Sequence, residues 1–111
     1  MYNFYDVEHE EKFKEACDIL KPAHDEHDKI SCLYLLSYIS ISITEIIDHI
    51  NSQYIEFREL LEGKYSSSEK AMIKIAANLY NSSSNPCDIS ELEKLDNINR
   101  PIALEAIQMK K

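Results

Sequence analysis

"ISCLYLLSYISISITEIIDHI" (residues 30–50) is the most apolar stretch of the chain, and its reading decides the fold. A membrane span needs about 20 almost uninterrupted apolar residues. Here serines recur throughout and Glu45 and Asp48 follow, so the stretch is expected to stay out of a bilayer. A strand finds support only in the alternation of "ISISIT" (residues 39–44), and one strand has no obvious partner. Helical spacing accounts for more. Ile30, Leu33, Tyr34, Leu36 and Ile39 recur at i, i+3, i+4 intervals on more than one face. That pattern predicts a central, enclosed helix from about Glu26 to Ile39.

Beyond a break near residue 40, Ser42 and Glu45 have capping-box spacing. A third helix is expected from Ile43 to Glu62, ended by Gly63 as a left-handed cap. Its apolar stripe would comprise Ile43, Ile46, Ile47, Ile50, Tyr54, Phe57 and Leu61. Glu45, Asp48, Glu56 and Glu59 would form an acidic stripe half a turn away, with Ile55 projecting among them away from the core.

The flanking segments extend the same pattern. Asp6 is an N-cap candidate for a first helix running to about Leu20, which Pro22 stops. Phe13, Ala16, Cys17 and Leu20 share one face, and Glu8, Glu11, Glu15 and Asp18 share the opposite one. In "AHDEHDK" (residues 23–29), Asp25 and Asp28 precede the apolar run as a capping pair would. Ser66 and Glu69 open a helix to about Asn81, burying Met72, Ile75, Ala76 and Leu79 and showing Lys70 and Lys74 outward. Asp88 and Glu91 would cap the short "ISELEKL" helix, and Pro101 would stand first in a last helix carrying Ile102, Ala106, Ile107 and Met109. The expectation is an all-α single compact domain of five to six helices over residues 1–111.

Composition agrees. The chain has 111 residues with a single Gly, and strand-rich folds take most of their turns from Gly. Hydrophobic residues make up 44% and charged residues 29%, an ordinary balance for a chain able to bury its own core. Met1 leads into "YNFYDVEHEEKF", which has neither the basic flank nor the apolar run of a secretory leader. Cys17, Cys32 and Cys87 are odd in number and lack CxxC spacing, so free thiols in a reducing cytoplasm are expected.

The net charge of −8 is unevenly distributed. Residues 1–62 carry 14 acids against 5 bases, whereas residues 63–111 carry 6 acids against 7 bases. The field of the first half would repel phosphates, so direct nucleic-acid binding is not expected and a partner with a basic surface is.

Chemistry is sparse. No GxSxG, HExxH, P-loop or Cys–His arrangement occurs, so no catalytic residue, cofactor or metal is assigned. His24 and His27, with His9 and His49 from elsewhere, could in principle converge on a metal or small ligand, which is the alternative reading. A helix start is the simpler account of His24 and His27. His9, on the apolar side of the first helix near Phe13, is expected at the core edge with its nitrogens on backbone or carboxylate partners.

"FYDVEHEEKF" (4–13), "CLYLLS" (32–37), "DHI" (48–50), "SSSEKAMIKIAANLYN" (66–81) and "ALEAIQMK" (103–110) occur in an order that resembles a domain-of-unknown-function family. That family comprises small proteins from phages and mobile elements of Gram-positive bacteria. Where its members often carry Trp-Gln-Thr and a later Trp, this chain reads "GKYSSSEK" and Tyr80. The family supplies no activity to carry over. The resemblance implies a phage-type accessory protein in the cytoplasm of a bacterial host. By analogy, small acidic phage proteins that resemble inhibitors often block nucleic-acid-binding host machinery, including defence nucleases such as CRISPR effectors. The expected function is therefore non-catalytic protein–protein binding, in the manner of an inhibitor or nucleic-acid mimic. Partner contacts would come from Glu8, Glu11, Glu15, Asp18, Glu45, Asp48, Ile55, Glu56 and Glu59. A self-associating structural phage protein, such as a helical homodimer, is the other alternative.

Overall fold

The structure, a computed structural model, describes residues 4–39, 65–80 and 90–110, together with the backbone at 50–51 and 54–55. Five helices lie within those residues: α1 (Val7–Leu20), α2 (His27–Tyr38), α3 (Ser67–Tyr80), α4 (Ser90–Glu93) and α5 (Asn99–Lys110). Two two-residue strands, β1 (Ile50–Asn51) and β2 (Tyr54–Ile55), pair antiparallel with Ile50 opposite Ile55 and Asn51 opposite Tyr54. The fold is all-α, with this short pair the only strands among the described residues, and no described helix is long and apolar enough to cross a membrane.

α2 is the axis of the fold, touching α1, α3 and α5, while α3 also touches α4 and α5. Residues Ile30 to Ser37 are buried without interruption. A helix that is apolar all round must be covered on every side, and three neighbours cover this one. Leu33, Leu35 and Leu36 of α2 meet Met72, Ile73 and Ala76 of α3 and Ala103 and Ala106 of α5 in one cluster. Each large side chain withdrawn from water contributes roughly 1.5–3 kcal/mol. The small Ala16, Ala76, Ala103 and Ala106, all fully buried, leave room for the larger side chains of α2.

α1 forms as the sequence predicts. The Asp6 carboxylate accepts the His9 N–H at 2.8 Å, and Lys21 ends the helix at φ 46°, ψ 58°, its N–H reaching the Cys17 carbonyl at 2.7 Å. Phe13 and Ala16 are buried, Cys17 and Leu20 are half-buried against the core, and Glu8, Glu11, Glu15 and Asp18 are all exposed. α3 opens with the full reciprocal capping box: the Glu69 N–H donates to Ser66 Oγ, and the Ser66 N–H donates to Glu69 Oε1, both at 3.1 Å. Met72, Ile75, Ala76 and Leu79 are buried as expected, with Lys74 exposed and Lys70 half-buried.

Three expectations need correction. The helix expected over Ile43–Glu62 does not run through its middle, because residues 50–51 and 54–55 form the strand pair. Ile50, Tyr54 and Ile55 are β-branched or aromatic and favour strands, while Asn51 and Ser52 between them favour a turn. α2 begins with Glu26 at its N-cap and no side-chain cap bond, so the Asp25–Asp28 pair is not formed. Asp28 Oδ1 instead accepts the Lys29 N–H at 2.9 Å. α5 begins at Asn99 rather than Pro101, since Asp96 Oδ1 accepts the N–H groups of Ile98 (3.0 Å) and Asn99 (2.7 Å) and so supplies the start. Pro101 sits within that first turn, where a missing N–H costs nothing. Glu91 is buried in the first turn of α4, and Asp88, its expected capping partner, lies outside the described residues. The Glu91 carboxylate meets Lys94 Nζ at 2.7 Å and Lys74 Nζ at 3.4 Å, fastening α4 to α3.

Candidate functional site

The N-terminal end of α1 crosses the C-terminal end of α2 through His9, a buried histidine 3% exposed. Its Nδ1 accepts the Tyr5 N–H at 3.1 Å, and its Nε2–H donates to the Tyr34 carbonyl at 2.9 Å. The backbone donor at Nδ1 fixes the neutral Nε2–H tautomer. Burial, the largest cause, lowers the His9 pKa, as does Lys12, against the opposing pull of the Tyr34 carbonyl and Asp6. Phe4, Tyr34 and Tyr38 surround the imidazole, with ring centroids 5.1, 4.7 and 5.5 Å away. The sequence-based expectation of a core-edge histidine held by backbone is met.

Beside this cluster lies an open cavity of about 540 Å³, within the size range of ordinary ligand pockets. α1 and the turn before it supply Tyr5, Asp6, Glu8 and Lys12; the last turn of α2 supplies Ser37, Tyr38 and Ile39. Glu69 and Met72 come from α3 and Asn99 from α5. The walls are held in place by their own bonds. Lys12 Nζ donates to the Ile39 carbonyl at 2.9 Å, a cation on the negative end of the α2 dipole. Tyr38 Oη donates to Asn99 Oδ1 at 2.5 Å, and the Tyr5 and Tyr38 rings meet edge to face at 5.3 Å. Burial raises the Tyr38 pKa, with nearby Tyr5, Asp96 and Asp6 adding to it, so the phenol remains a donor. Ser37, 2% exposed, lines the same cavity, and its Oγ is buried with no hydrogen-bond partner among the described residues.

Glu8 belongs to both this cavity and the exposed acidic row that continues through Glu11, Glu15 and Asp18. Lys14 is the base among them, and it pairs with Glu10 at 3.3 Å. Val7, 68% exposed, and Ile19, 50% exposed, are exposed apolar residues flanking the row. Of the other partner-contact residues expected from sequence, Glu45, Asp48, Glu56 and Glu59 lie outside the described residues. Ile55 falls in β2, and its side chain also lies outside them.

The histidines are dispersed. His9 has both nitrogens engaged on backbone, His24 is exposed in the turn before α2, and His27 is exposed with Nδ1 3.2 Å from the Met109 carbonyl. His49 lies outside the described residues. Among the described residues no three His, Cys, Asp or Glu side chains are grouped as metal ligands. Cys17 and Cys32 are free thiols; burial pushes Cys17 up to about 11, with Asp18 adding to it, and pushes the fully buried Cys32 higher still. Cys87 lies outside the described residues.

The cavity was not legible in the sequence, because its walls come from four helices with no shared motif. The one local signal was the aromatic density of "YNFYDVEH" (residues 2–9) just before an N-cap.

The sequence matches a family described as "Family of unknown function (DUF6075)" over residues 1–109, and the chain belongs to that family. No curated protein and no solved structure matches it.

Proposed function

We propose that this member of a family without an assigned activity is a non-catalytic binding protein. It docks the acidic face of α1 onto a basic surface of another protein. The observation that carries this reading is the exposure of Glu8, Glu11, Glu15 and Asp18 on one helix face whose opposite side is locked into the core. Four carboxylates on a rigid helix present fixed, closely spaced negative charge, the feature by which a protein imitates a nucleic-acid backbone. Such charges steer encounter and select the partner more than they add affinity. Val7 and Ile19 flank the row and supply the apolar contacts that hold the complex once it has formed. The partner is a nucleic-acid-handling or defence protein of a bacterial host, met in the cytoplasm, and the chain acts as a phage-type inhibitor of it.

The test compares the wild-type chain with a Glu11→Lys, Glu15→Lys, Asp18→Lys variant as baits in host lysate, eluting with stepped salt and identifying proteins by mass spectrometry. A basic nucleic-acid-handling protein should be retained by the wild type, released at moderate salt, and retained roughly tenfold less by the variant. Far-UV circular dichroism should be the same for both chains. Equal retention by the two would sink the proposal and return the acidic row to ordinary solvated surface.

A further inference from the structure

We infer that His9 is the pin of a pH-operated latch: its protonation releases the Phe4–Tyr5 segment from the crossing of α1 and α2 while both helices stay in place. The two imidazole nitrogens fare differently on charging. Nε2 carries its hydrogen in the neutral ring and in the imidazolium alike, so its bond to the Tyr34 carbonyl at 2.9 Å, which joins α1 to α2, survives. Nδ1 accepts the Tyr5 N–H at 3.1 Å in the neutral ring and becomes a donor in the imidazolium, so two donors then face each other. The bond that fails is the one to the N-terminal segment. The start of α1 does not follow it, because the Asp6 carboxylate caps the His9 backbone N–H at 2.8 Å and not the ring.

The Phe4 ring lies against His9, Phe13 and Tyr34 at centroid distances of 5.1, 5.4 and 5.7 Å, and Tyr5 meets Tyr38 at 5.3 Å. Departure of the segment uncovers this aromatic side of the crossing, and the open cavity, which His9 itself lines, brings water to the charged ring. The surrounding groups set the balance. On α1, Asp6 favours the cation and Lys12 opposes it, and Glu8 lines the same cavity. From α2 come the phenols of Tyr34 and Tyr38, both pushed up by burial and therefore neutral here. Among the described residues, α3 adds Glu69 to the cavity and α5 only the uncharged Asn99. Burial is the largest influence in the closed form and keeps the ring neutral, whereas an opened ring returns toward about 6.5. Each pH unit below that value favours the open form by up to about tenfold, until the closed value is passed. Because α1 does not move, the acidic row keeps its place, and the latch stands apart from the docking reading.

The experiment follows the full isotope-labelled chain by NMR from pH 7.5 to pH 5. Ring nitrogen shifts report the charge on His9, and amide exchange, corrected for its intrinsic pH dependence, reports the Tyr5 bond. Through-space contacts report Phe4 against Phe13. As His9 takes up its proton, Tyr5 protection should fall roughly tenfold, and the Phe4–Phe13 contacts should fade at the same midpoint. The amides of Leu33, Leu35 and Leu36 should keep their protection throughout. His9→Phe, which takes up no proton, should show neither change over the same range.

Tyr5 protection that persists after His9 is charged would overturn the inference, as would a ring still neutral at pH 5. Simultaneous loss of protection at Tyr5 and in α2 would overturn it too, since the proton would then unfold the molecule rather than open a latch. The same acid change in His9→Phe would assign the transition to another group. The first three outcomes are read from the wild type, so the test holds even where the variant folds poorly.

Discussion

Replacing His9 tests how the N-terminal segment is fastened to the core. His9→Phe keeps an aromatic ring among Phe4, Tyr34 and Tyr38 but removes both hydrogen bonds, to the Tyr5 N–H and the Tyr34 carbonyl. Tyr5 is half-exposed and water can take up its N–H, so most of the loss falls on the buried Tyr34 side. At about 0.5–1.5 kcal/mol per bond the variant should lose about 1–2 kcal/mol. His9→Ala also forfeits the ring's contacts and leaves a cavity, for a total of about 3–4 kcal/mol.

The effect also depends on pH in a fixed direction. The folded state holds the His9 pKa below its ordinary value, chiefly through burial, so between that lowered value and about 6.5 the unfolded chain binds the extra proton. The stabilisation is complete above about 6.5 and is lost as pH falls below it, at about 1.4 kcal/mol per pH unit, down to the folded value. Urea unfolding followed by circular dichroism at pH 7.5, 6.5 and 5.5 measures both quantities. With a slope of about 1–2 kcal/mol per molar urea, His9→Phe should lower the midpoint by roughly 1 M at pH 7.5. The gap from wild type should shrink toward pH 5.5. A constant gap across the three pH values, or an Nδ1–H tautomer seen by nitrogen NMR, would refute the reasoning.

Two further substitutions probe features with different physical origins. Lys21 closes α1 in the left-handed region, where a Cβ is unfavourable, so Lys21→Gly should raise stability by about 0.5–1 kcal/mol in urea unfolding. Glu91→Gln should cost about 1–2 kcal/mol at pH 7, because the buried carboxylate holding Lys94 and Lys74 is lost. The Lys94 hydrogen bond is the main cause that lowers the Glu91 pKa, so this stabilisation is present above the ordinary glutamate range and lost as pH falls through the lowered value. The wild type and Glu91→Gln should therefore draw together in the same assay as pH falls below the ordinary glutamate range.

What the sequence determined by itself was most of the helical core. The enclosed α2, the two faces of α1 and the Ser66–Glu69 capping box each depend on residues within a turn or two of one another, and each formed where expected. Tertiary structure decided what required distant segments to meet. Ile50 and Tyr54 fit a helical stripe and a strand pair equally well by residue type, and antiparallel pairing settled the matter for residues 50–51 and 54–55. Glu91 pairs with Lys74 of another helix, a meeting that its local spacing does not encode. The cavity joins Tyr5, Ser37, Glu69 and Asn99 from separated parts of the chain. Local spacing encodes the face a residue presents on its own helix, whereas only the packing of one helix on another brings those four side chains around a single space.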